Sequence, residues 1–327
     1  MVMSQTLYSA LREINPDVQI DVLAPAASLP LVSRMAEVSE GLLFEAGHGE
    51  LNLPYRRRMG EFLRGNHYDQ AIVLPNSLKS ALVPFFADIP VRTGFRGEFR
   101  YWLLNDIRLL NKQRLPLMTD RFMALSVPTG EPVPALRYPL LQINEINRQK
   151  LLQKLSLSLS KPVLGLCPGA EFGDAKKWPE QHYAALADKA IREGMQVWLF
   201  GGPKDAETTR LIQQLMDLGN LASVFDLAGQ TTLLDAVDLL SLCQRVVSND
   251  SGLMHIAAAT GVKTAVVYGS TSPGFTPPLA DDAEIFALTM DCRPCFKRTC
   301  PLGHKNCLVN LTPDHLDRFI EQGMKPS

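Results

Sequence analysis

The sequence predicts an α/β protein made of two doubly wound, Rossmann-like domains. The chain has 327 residues, enough for two domains of ordinary size, and 46% of them are hydrophobic, enough for two cores. Short apolar, β-branched runs alternate with segments of helical periodicity along most of its length. Such alternation is typical of parallel sheets that are covered by helices.

The first half opens with a predicted helix at residues 2–14 rather than with a strand. An α/β domain ordinarily begins with a strand that leads into its first helix, so either the fold starts unusually or a leading strand and its loop are absent from this sequence. The next predicted strands are residues 18–25, 41–44, 68–77 and 91–95. The stretch 98–125 has a mixed helical pattern.

A Pro-rich, irregular segment separates the two halves, and we place the domain boundary there. The predicted domains are residues 1–155 and 156–327. In the second domain, apolar strand patterns recur at regular intervals, and each is followed by a helical pattern. This regularity predicts a complete parallel sheet with helices on both faces.

The strongest candidate for a binding site is the segment VVSNDSGLMHIAAATG, residues 246–261. A buried strand turns directly into a helix there, which brings unpaired backbone N–H groups and the positive helix end to the carboxyl edge of the sheet. Asp250, Ser251 and Gly252 at the turn, with His255 one turn later, suit a diphosphate. The alternative is structural: Asp250 or Ser251 caps the helix, and His255 packs in the core.

A second candidate is the loop CPGAEFGDAKKWPE, residues 167–180, which also follows a predicted strand. Lys176 and Lys177 precede a helix that begins near Pro179, and a lysine at this place can neutralise the charge on a departing phosphate. The alternative is that both lysines form a solvated basic pair. The sequence contains neither a P-loop nor a complete G-x-G-x-x-G dinucleotide fingerprint.

Residues 51–121 carry a local excess of positive charge, with twelve Lys and Arg against six Asp and Glu. Aromatic side chains are interleaved with them, among others at Phe99, Tyr101 and Trp102. Such a surface suits a polyanionic partner: a phosphorylated glycolipid, an anionic membrane or a nucleic acid. The alternative is a set of solvated helix faces that point in different directions.

Four of the six cysteines are close together in the sequence, at Cys292, Cys295, Cys300 and Cys307. Four thiols within so short a segment can hold Zn²⁺ tetrahedrally as a structural site. The spacing of the second pair is not that of a standard zinc knuckle, so a compact loop of reduced thiols is the alternative.

The composition excludes several classes of protein. A net charge of −1 excludes a wholly basic nucleic-acid binder, and a charged fraction of 20% with many large apolar residues excludes a disordered chain. No apolar run reaches the roughly 18 residues that a membrane span requires, and the opening residues do not form a secretory signal. Six cysteines are too few for a disulfide scaffold in a chain of this length. We therefore expect a cytoplasmic enzyme.

Five segments spread over nearly the whole chain carry a family resemblance. They are NSLKSALVPFF (76–86), RTGFRGEFRY (92–101), CPGAEFGDAKKWP (167–179), SNDSGLMHIAAA (248–259) and YGSTSPGFTPPL (268–279). Together they resemble the ADP-heptose–lipopolysaccharide heptosyltransferases of glycosyltransferase family 9. The resemblance implies a GT-B fold, with two Rossmann-like domains facing a cleft. It implies an inverting, metal-independent transfer of heptose from ADP-L-glycero-D-manno-heptose to the first heptose of the lipopolysaccharide inner core.

The resemblance also implies roles for individual residues. Lys176 matches the family's phosphate-binding lysine, and the basic stretch matches its acceptor side. The implied donor-binding residues are Ala170, Glu171, Lys176, Thr231, Asp250, Ser251, Gly252 and His255. The implied acceptor-binding residues are Asn76, Lys79, Arg92, Arg96 and Arg100. The expected partners are ADP-heptose, the lipid A–Kdo–heptose acceptor and the anionic inner-membrane surface of a Gram-negative cell, with no nucleic acid and no cofactor.

One departure from the family concerns the beginning of the sequence. In the family, a strand and a Gly-Asp pair precede the segment that matches MVMSQTLY, and that Asp is taken to be the general base. We therefore expect the strand and the base to be missing from the sequence as written, through a late start codon or a true truncation. Two alternatives stay open: a heptosyltransferase that acts on Kdo, and a catalytically impaired nucleotide- or glycolipid-binding protein.

Overall fold

The computed structural model describes residues 1–47 and 49–321. The chain divides into two compact units. Unit 1 consists of residues 1, 3–33 and 37–137, and unit 2 of residues 2, 34–36 and the chain from Tyr138 onward. Each unit has its own parallel β-structure, as the alternation of strands and helices predicts.

Unit 1 contains short strands in two parallel sheets. Its described strands are β1 (Asp21–Pro25), β2 (Glu40–Phe44), β3 (Gln70–Ile72), β4 (Val91–Phe95) and β5 (Asp106–Arg108). Its described α-helices are α1 (Gln5–Ile14), α2 (Leu29–Val32), α3 (Leu53–Leu63), α4 (Leu82–Phe86) and α5 (Met118–Met123). Strand β1 pairs with β2, with Leu23 opposite Leu42, and the second sheet has the order β3-β4-β5.

The stretch 98–125 differs from the mixed helix that we predicted. It contains strand β5 and is helical only in α5. The strand forms because Thr93 of β4 lies opposite Asp106, and the Thr93 hydroxyl donates to the Asp106 carboxylate at 2.9 Å. Arg108 then donates to the same carboxylate at 2.7 Å, so tertiary contacts outweigh local propensity here.

Unit 2 contains one parallel sheet with the strand order β11-β10-β9-β6-β7-β8. Its described strands are β6 (Val163–Cys167), β7 (Gln196–Leu199), β8 (Val224–Asp226), β9 (Arg245–Asn249), β10 (Lys263–Val267) and β11 (Glu284–Phe286). Its described α-helices are α6 (Glu145–Lys154), α7 (Glu180–Arg192), α8 (Ala206–Leu215), α9 (Leu233–Leu240), α10 (Gly252–Ala259), α11 (Asn306–Val309) and α12 (Asp317–Glu321). Across the residues that the structure describes, no helix has both the length and the hydropathy to cross a bilayer.

The division between the units falls at Arg137 and Tyr138, not near residue 155 where the sequence placed it. Helix α6 belongs to unit 2 because it is bonded to the buried carboxylate of Asp238. The Asn144 backbone N–H and the Asn147 side-chain amide both donate to this carboxylate at 2.8 Å. Arg34 pairs with it at 2.7 Å, which brings residues 34–36 into the same unit.

The centre of unit 2 is formed by β6 and β9, two neighbouring strands in which every residue is buried. Strand β6 is apolar on both faces, as expected of a parallel strand covered by helices, whereas β9 combines two buried valines with the buried polar residues Arg245, Ser248 and Asn249. Because parallel strands end at the same edge of a sheet, the loops that follow β6 and β9 are adjacent. The two candidate binding segments of the sequence lie in these two loops.

Candidate active site

An ion pair between Lys176 and Asp250 joins the loops that follow β6 and β9. The Lys176 ammonium lies 2.6 Å from Oδ2 of Asp250 and also donates to the Asp250 backbone oxygen at 3.2 Å. The Thr271 hydroxyl, from the loop after β10, donates to the same Oδ2 at 2.6 Å. Asp250 is only 3% exposed. A buried carboxylate therefore holds the lysine at the edge of the sheet, and is itself fixed by two donors.

Helix α10 begins at Gly252, two residues after Asp250. Ser251 is the N-cap residue, but its side chain makes no capping hydrogen bond, and the Asp250 carboxylate is occupied by Lys176 and Thr271. The backbone N–H groups of the first helical turn have no intrahelical partners, so they are directed at this end. Gly252 is exposed, and no other atom lies where its Cβ would be. The capping part of the structural alternative, that Asp250 or Ser251 caps the helix, is therefore wrong, and the positive helix end can receive an anion. The other part, that His255 packs in the core, stays open.

His255 lies one turn into α10 and is partly buried. Its Nδ1 has no hydrogen-bond partner among the described residues. Desolvation lowers the pKa of His255 to about 4, against the usual 6.5, although the nearby Asp250 carboxylate acts in the opposite direction. The imidazole is therefore neutral near pH 7, and it can donate a hydrogen bond to a ligand hydroxyl or accept one from it.

The loop that carries Lys176 is fastened to a later segment of unit 2. Gly173 adopts a φ of 151°, and a Cβ at this position would collide with the backbone carbonyl of Arg298. The same carbonyl accepts a hydrogen bond from the Ala175 N–H at 3.0 Å, and the Ser270 N–H donates to the Ala175 oxygen at 3.1 Å. A side chain at position 173 would not fit, so the glycine is needed for this close approach.

Asn249 is a site residue that our sequence analysis did not single out. It is fully buried at the end of β9, where its side-chain amide donates to the Pro168 oxygen at 2.7 Å. Its Oδ1 accepts the Trp178 N–H at 3.0 Å. Asn249 thus ties together both ends of the Lys176 loop. The available signal was a buried polar residue at the end of an apolar strand.

The other predicted donor-binding residues lie at the same edge of the sheet but are not bonded to the ion pair. Ala170 is buried, whereas Glu171 is exposed and lies 3.6 Å from Lys204. Thr231 lies in the loop after β8, and its hydroxyl is 3.5 Å from the Leu227 oxygen. Their predicted contacts with the donor stay predictions.

The predicted acceptor-binding residues of unit 1 have unequal environments. Arg100 is 1% exposed, and its guanidinium donates to the oxygens of Phe95 and Pro75, at 2.6 Å each, and to the side chain of Asn76 at 3.1 Å. Arg92 likewise donates to the Leu103 and Ile89 oxygens. Arg96 is exposed and Lys79 half-buried. Arg100 and Arg92 therefore hold the backbone of this surface in place through their hydrogen bonds. Of the three arginines in the set, Arg96 is the one that is exposed to a ligand.

The four clustered cysteines line one cavity together with Ala175 and Ser270, so the cysteine segment packs on the candidate site. Arg293 holds it there by donating to the Gly269 oxygen at 2.6 Å and to the Thr271 oxygen at 3.1 Å. All four thiols are free. Within the described ranges, no group of three or more His, Cys, Asp or Glu side chains is arranged to hold a metal ion. The zinc site at Cys292, Cys295, Cys300 and Cys307 stays a prediction.

Comparisons with known proteins agree on one family. The model for "Glycosyltransferase family 9 (heptosyltransferase)" matches residues 56–306. Lipopolysaccharide heptosyltransferase 2 of Escherichia coli (strain K12) is 46% identical over 322 residues, which are 97% of this chain and 92% of that protein. Lipooligosaccharide heptosyltransferase 2 of Haemophilus ducreyi is 44% identical over 336 residues, 98% and 95% of the two chains.

A solved structure shows the same similarity. The structure of E. coli ADP-heptose lps heptosyltransferase II superposes with a TM-score of 0.88 at 43% identity, and the match covers 99% of this chain and 96% of that one. The α/β, GT-B fold that the sequence predicts is therefore confirmed.

Proposed function

The chain belongs to glycosyltransferase family 9, the heptosyltransferases, and from that membership we propose that it is the second heptosyltransferase of the lipopolysaccharide inner core. In this reaction a heptose passes from ADP-L-glycero-D-manno-heptose to the first heptose of the core, on heptosyl-Kdo2-lipid A. The near-full-length relatives at 44–46% identity are named heptosyltransferase 2, which favours this acceptor over Kdo.

The observation in the molecule that supports the proposal is the ion pair of Lys176 and Asp250 beside the N-terminus of α10. We place the diphosphate of the donor there. As the bond between the anomeric carbon and the diphosphate oxygen breaks, Lys176 and the helical N–H groups neutralise the charge that develops on ADP. Asp250 keeps the lysine in position, and the neutral His255 offers a hydrogen bond to the sugar.

The acceptor side supplies the nucleophile. A hydroxyl of the acceptor heptose attacks the anomeric carbon from the face opposite ADP, so the configuration inverts, and its proton passes to a general base. No described residue is assigned that role. In this proposal Lys176 and the N-terminus of α10 neutralise the charge on the departing ADP. The proposed step includes no metal ion and no cofactor.

We also place the protein in the cytoplasm, at the anionic surface of the inner membrane. The proposed acceptor is anchored in that membrane by lipid A. The exposed cations of unit 1, such as Arg96, are suited to the phosphates and carboxylates of its sugars.

The choice of donor tests the proposal. The full-length natural protein is incubated with heptosyl-Kdo2-lipid A and, in parallel, ADP-heptose, UDP-glucose or GDP-mannose, and the lipid product is analysed by mass spectrometry. We expect a gain of one heptose with ADP-heptose and no product with the other two. Transfer from a uridine or guanosine donor would exclude the proposed donor. ADP binding without transfer would favour a nucleotide-binding protein.

A further inference from the structure

The loop between β4 and β5 exposes three aromatic side chains around one buried arginine. Phe99 is 84% exposed, Trp102 85% and Tyr101 51%, whereas Arg100 among them is 1% exposed. Exposure of so much apolar surface within four residues is unfavourable in water. Such patches in soluble units mark surfaces that bind another molecule.

Buried contacts hold these aromatic side chains outward. Arg100 is bonded to the backbone oxygens of Phe95 and Pro75, and the Glu98 carboxylate accepts the Leu78 N–H at 2.8 Å. Glu98 and Phe99 have φ values of 38° and 52°, in the left-handed region that non-glycine residues rarely adopt. The surrounding contacts impose this conformation, so the outward direction of the rings is built into the fold.

Basic side chains flank the aromatic rings. Because β4 and β5 are parallel, the segments that follow them leave the sheet at the same edge, and the Arg96 N–H donates to the Arg108 oxygen at 2.8 Å. We call residues 96–102 the aromatic loop and residues 109–114 the basic turn. Arg96 in the loop, and Lys112 and Arg114 in the turn, are exposed.

Of the two nearby carboxylates, Asp106 is paired with a cation and Glu98 is bonded to a neutral N–H group. Asp106 pairs with Arg108 at 2.7 Å, and Glu98 accepts the Leu78 N–H. Leu109 of the basic turn, 69% exposed, adds apolar surface beside the cations. The edge thus combines exposed rings, an exposed aliphatic side chain and positive charge that is not neutralised by Asp106.

We propose that the aromatic loop and the basic turn dock unit 1 on an anionic lipid bilayer. Trp, Tyr and Phe side chains partition into the interfacial region of a membrane, and Lys and Arg beside them bind lipid phosphates. The inference rests on the proposed function, because a lipid-anchored acceptor must be met at a bilayer. Two of the predicted acceptor residues, Arg96 and Arg100, lie in the aromatic loop itself, and Arg100 bonds the loop to a third, Asn76.

Trp102 provides a direct readout. Of the three tryptophans, Trp178 and Trp198 are at most 1% exposed, so Trp102 alone is exposed. The full-length natural protein is titrated with vesicles of phosphatidylglycerol and phosphatidylcholine, and separately with phosphatidylcholine alone. We expect a blue shift of tryptophan emission and co-sedimentation with the anionic vesicles, both weakened by salt. No binding to the anionic vesicles would overturn the proposal.

Variants separate the docking surface from the rest of the molecule. The double variant Phe99→Ser/Trp102→Ser is expected to bind anionic vesicles about tenfold more weakly or worse, as measured by co-sedimentation. Lys112→Ser/Arg114→Ser should lose about tenfold at low salt. Leu218→Ser is the matched control, because Leu218 is 86% exposed in unit 2 and should leave vesicle binding unchanged.

Two further measurements distinguish a lipid bilayer from two other possible partners of this surface, the sugar acceptor and a second copy of the chain. ADP binding and transfer to a deacylated, water-soluble acceptor should be unchanged in Phe99→Ser/Trp102→Ser, whereas failure of the proposed function would abolish transfer in the wild type as well. Wild-type vesicle binding by that variant, or loss of transfer to the soluble acceptor, would contradict lipid docking. Dissociation of a wild-type dimer by the same substitutions would instead identify the surface as a contact between copies.

Discussion

Lys176 and Asp250, 74 residues apart in the chain, form a buried ion pair of 2.6 Å at the N-terminus of α10. Two neighbouring parallel strands, β6 and β9, bring them together by ending at the same edge of the sheet. Asp250 thus holds the ammonium group of Lys176 beside the positive end of the helix dipole. This combination suits the departing nucleoside diphosphate of the proposed reaction.

Replacement of Lys176 by alanine tests this pair. We expect Lys176→Ala to lower the kcat of heptose transfer by about 100- to 1000-fold, since a donor to the developing phosphate charge is lost. Steady-state kinetics and an ADP titration measure the change. Lys161→Ala is the control, because Lys161 is exposed and stands just before β6, at the opposite edge of the sheet from the Lys176 loop. Equal kinetics for Lys176→Ala and the wild type would remove this residue from the mechanism.

His255 should make the stability of the protein pH-dependent. Its pKa is about 4 when folded, against 6.5 as its usual value, so between these values the unfolded chain binds the proton and the folded chain does not. Stability is therefore lost as pH falls from 6.5 to 4, by about 3 kcal/mol at most.

Urea unfolding at pH 7 and pH 5 measures this effect. His255→Asn should lose less stability between the two pH values than the wild type does. His67→Asn, at an exposed position, should retain the wild-type difference. An identical pH difference in His255→Asn and the wild type would contradict the assignment.

Arg100 and Arg96 provide a matched pair within the basic stretch. Arg100→Ala should lower the free energy of unfolding by about 3 kcal/mol, because the oxygens of Phe95 and Pro75 lose a charged donor that is itself buried. Arg96→Ala, at an exposed position, should change it by less than about 0.5 kcal/mol and should raise the KM for the acceptor. Chemical denaturation and acceptor titrations measure both. Similar stability losses in the two variants would refute the distinction.

The six thiols should differ in reactivity. Backbone N–H groups of Lys305 and its neighbours lower the pKa of Cys300, whereas burial raises the pKa of Cys167 and Cys243. Iodoacetamide under native conditions should alkylate Cys300 first and the two buried thiols last, as followed by peptide mass spectrometry. Cys300→Ser should remove the fastest phase. If Cys300 reacts only after a chelator is added, the zinc hypothesis replaces that of reduced thiols.

Much of unit 2 could be predicted from the sequence because its strands contain short apolar runs and its turns are marked by glycine and proline. The same local patterns could not reveal strand order, and the contact of Lys176 with Asp250 depends on β6 and β9 being neighbours. For the same reason Asn249, which bridges two loops, was not identified.

Unit 1 was less predictable because its strands are short and its buried groups are polar. Arg100 was counted among the acceptor residues because of the family resemblance, and the basic stretch around it does not show that this arginine is buried. Its partners are backbone oxygens from the separate segment near Pro75, which local periodicity does not show. Strand β5 likewise depends on its pairing with β4 rather than on an apolar pattern.

The choice of acceptor tests the central claim most directly. The full-length natural protein is supplied with ADP-heptose and either heptosyl-Kdo2-lipid A or Kdo2-lipid A, and initial rates of heptose incorporation are compared. Our account predicts addition of one heptose to the acceptor that already carries a heptose, and no addition to the one that ends in Kdo. Transfer to Kdo2-lipid A at an equal or higher rate would contradict it.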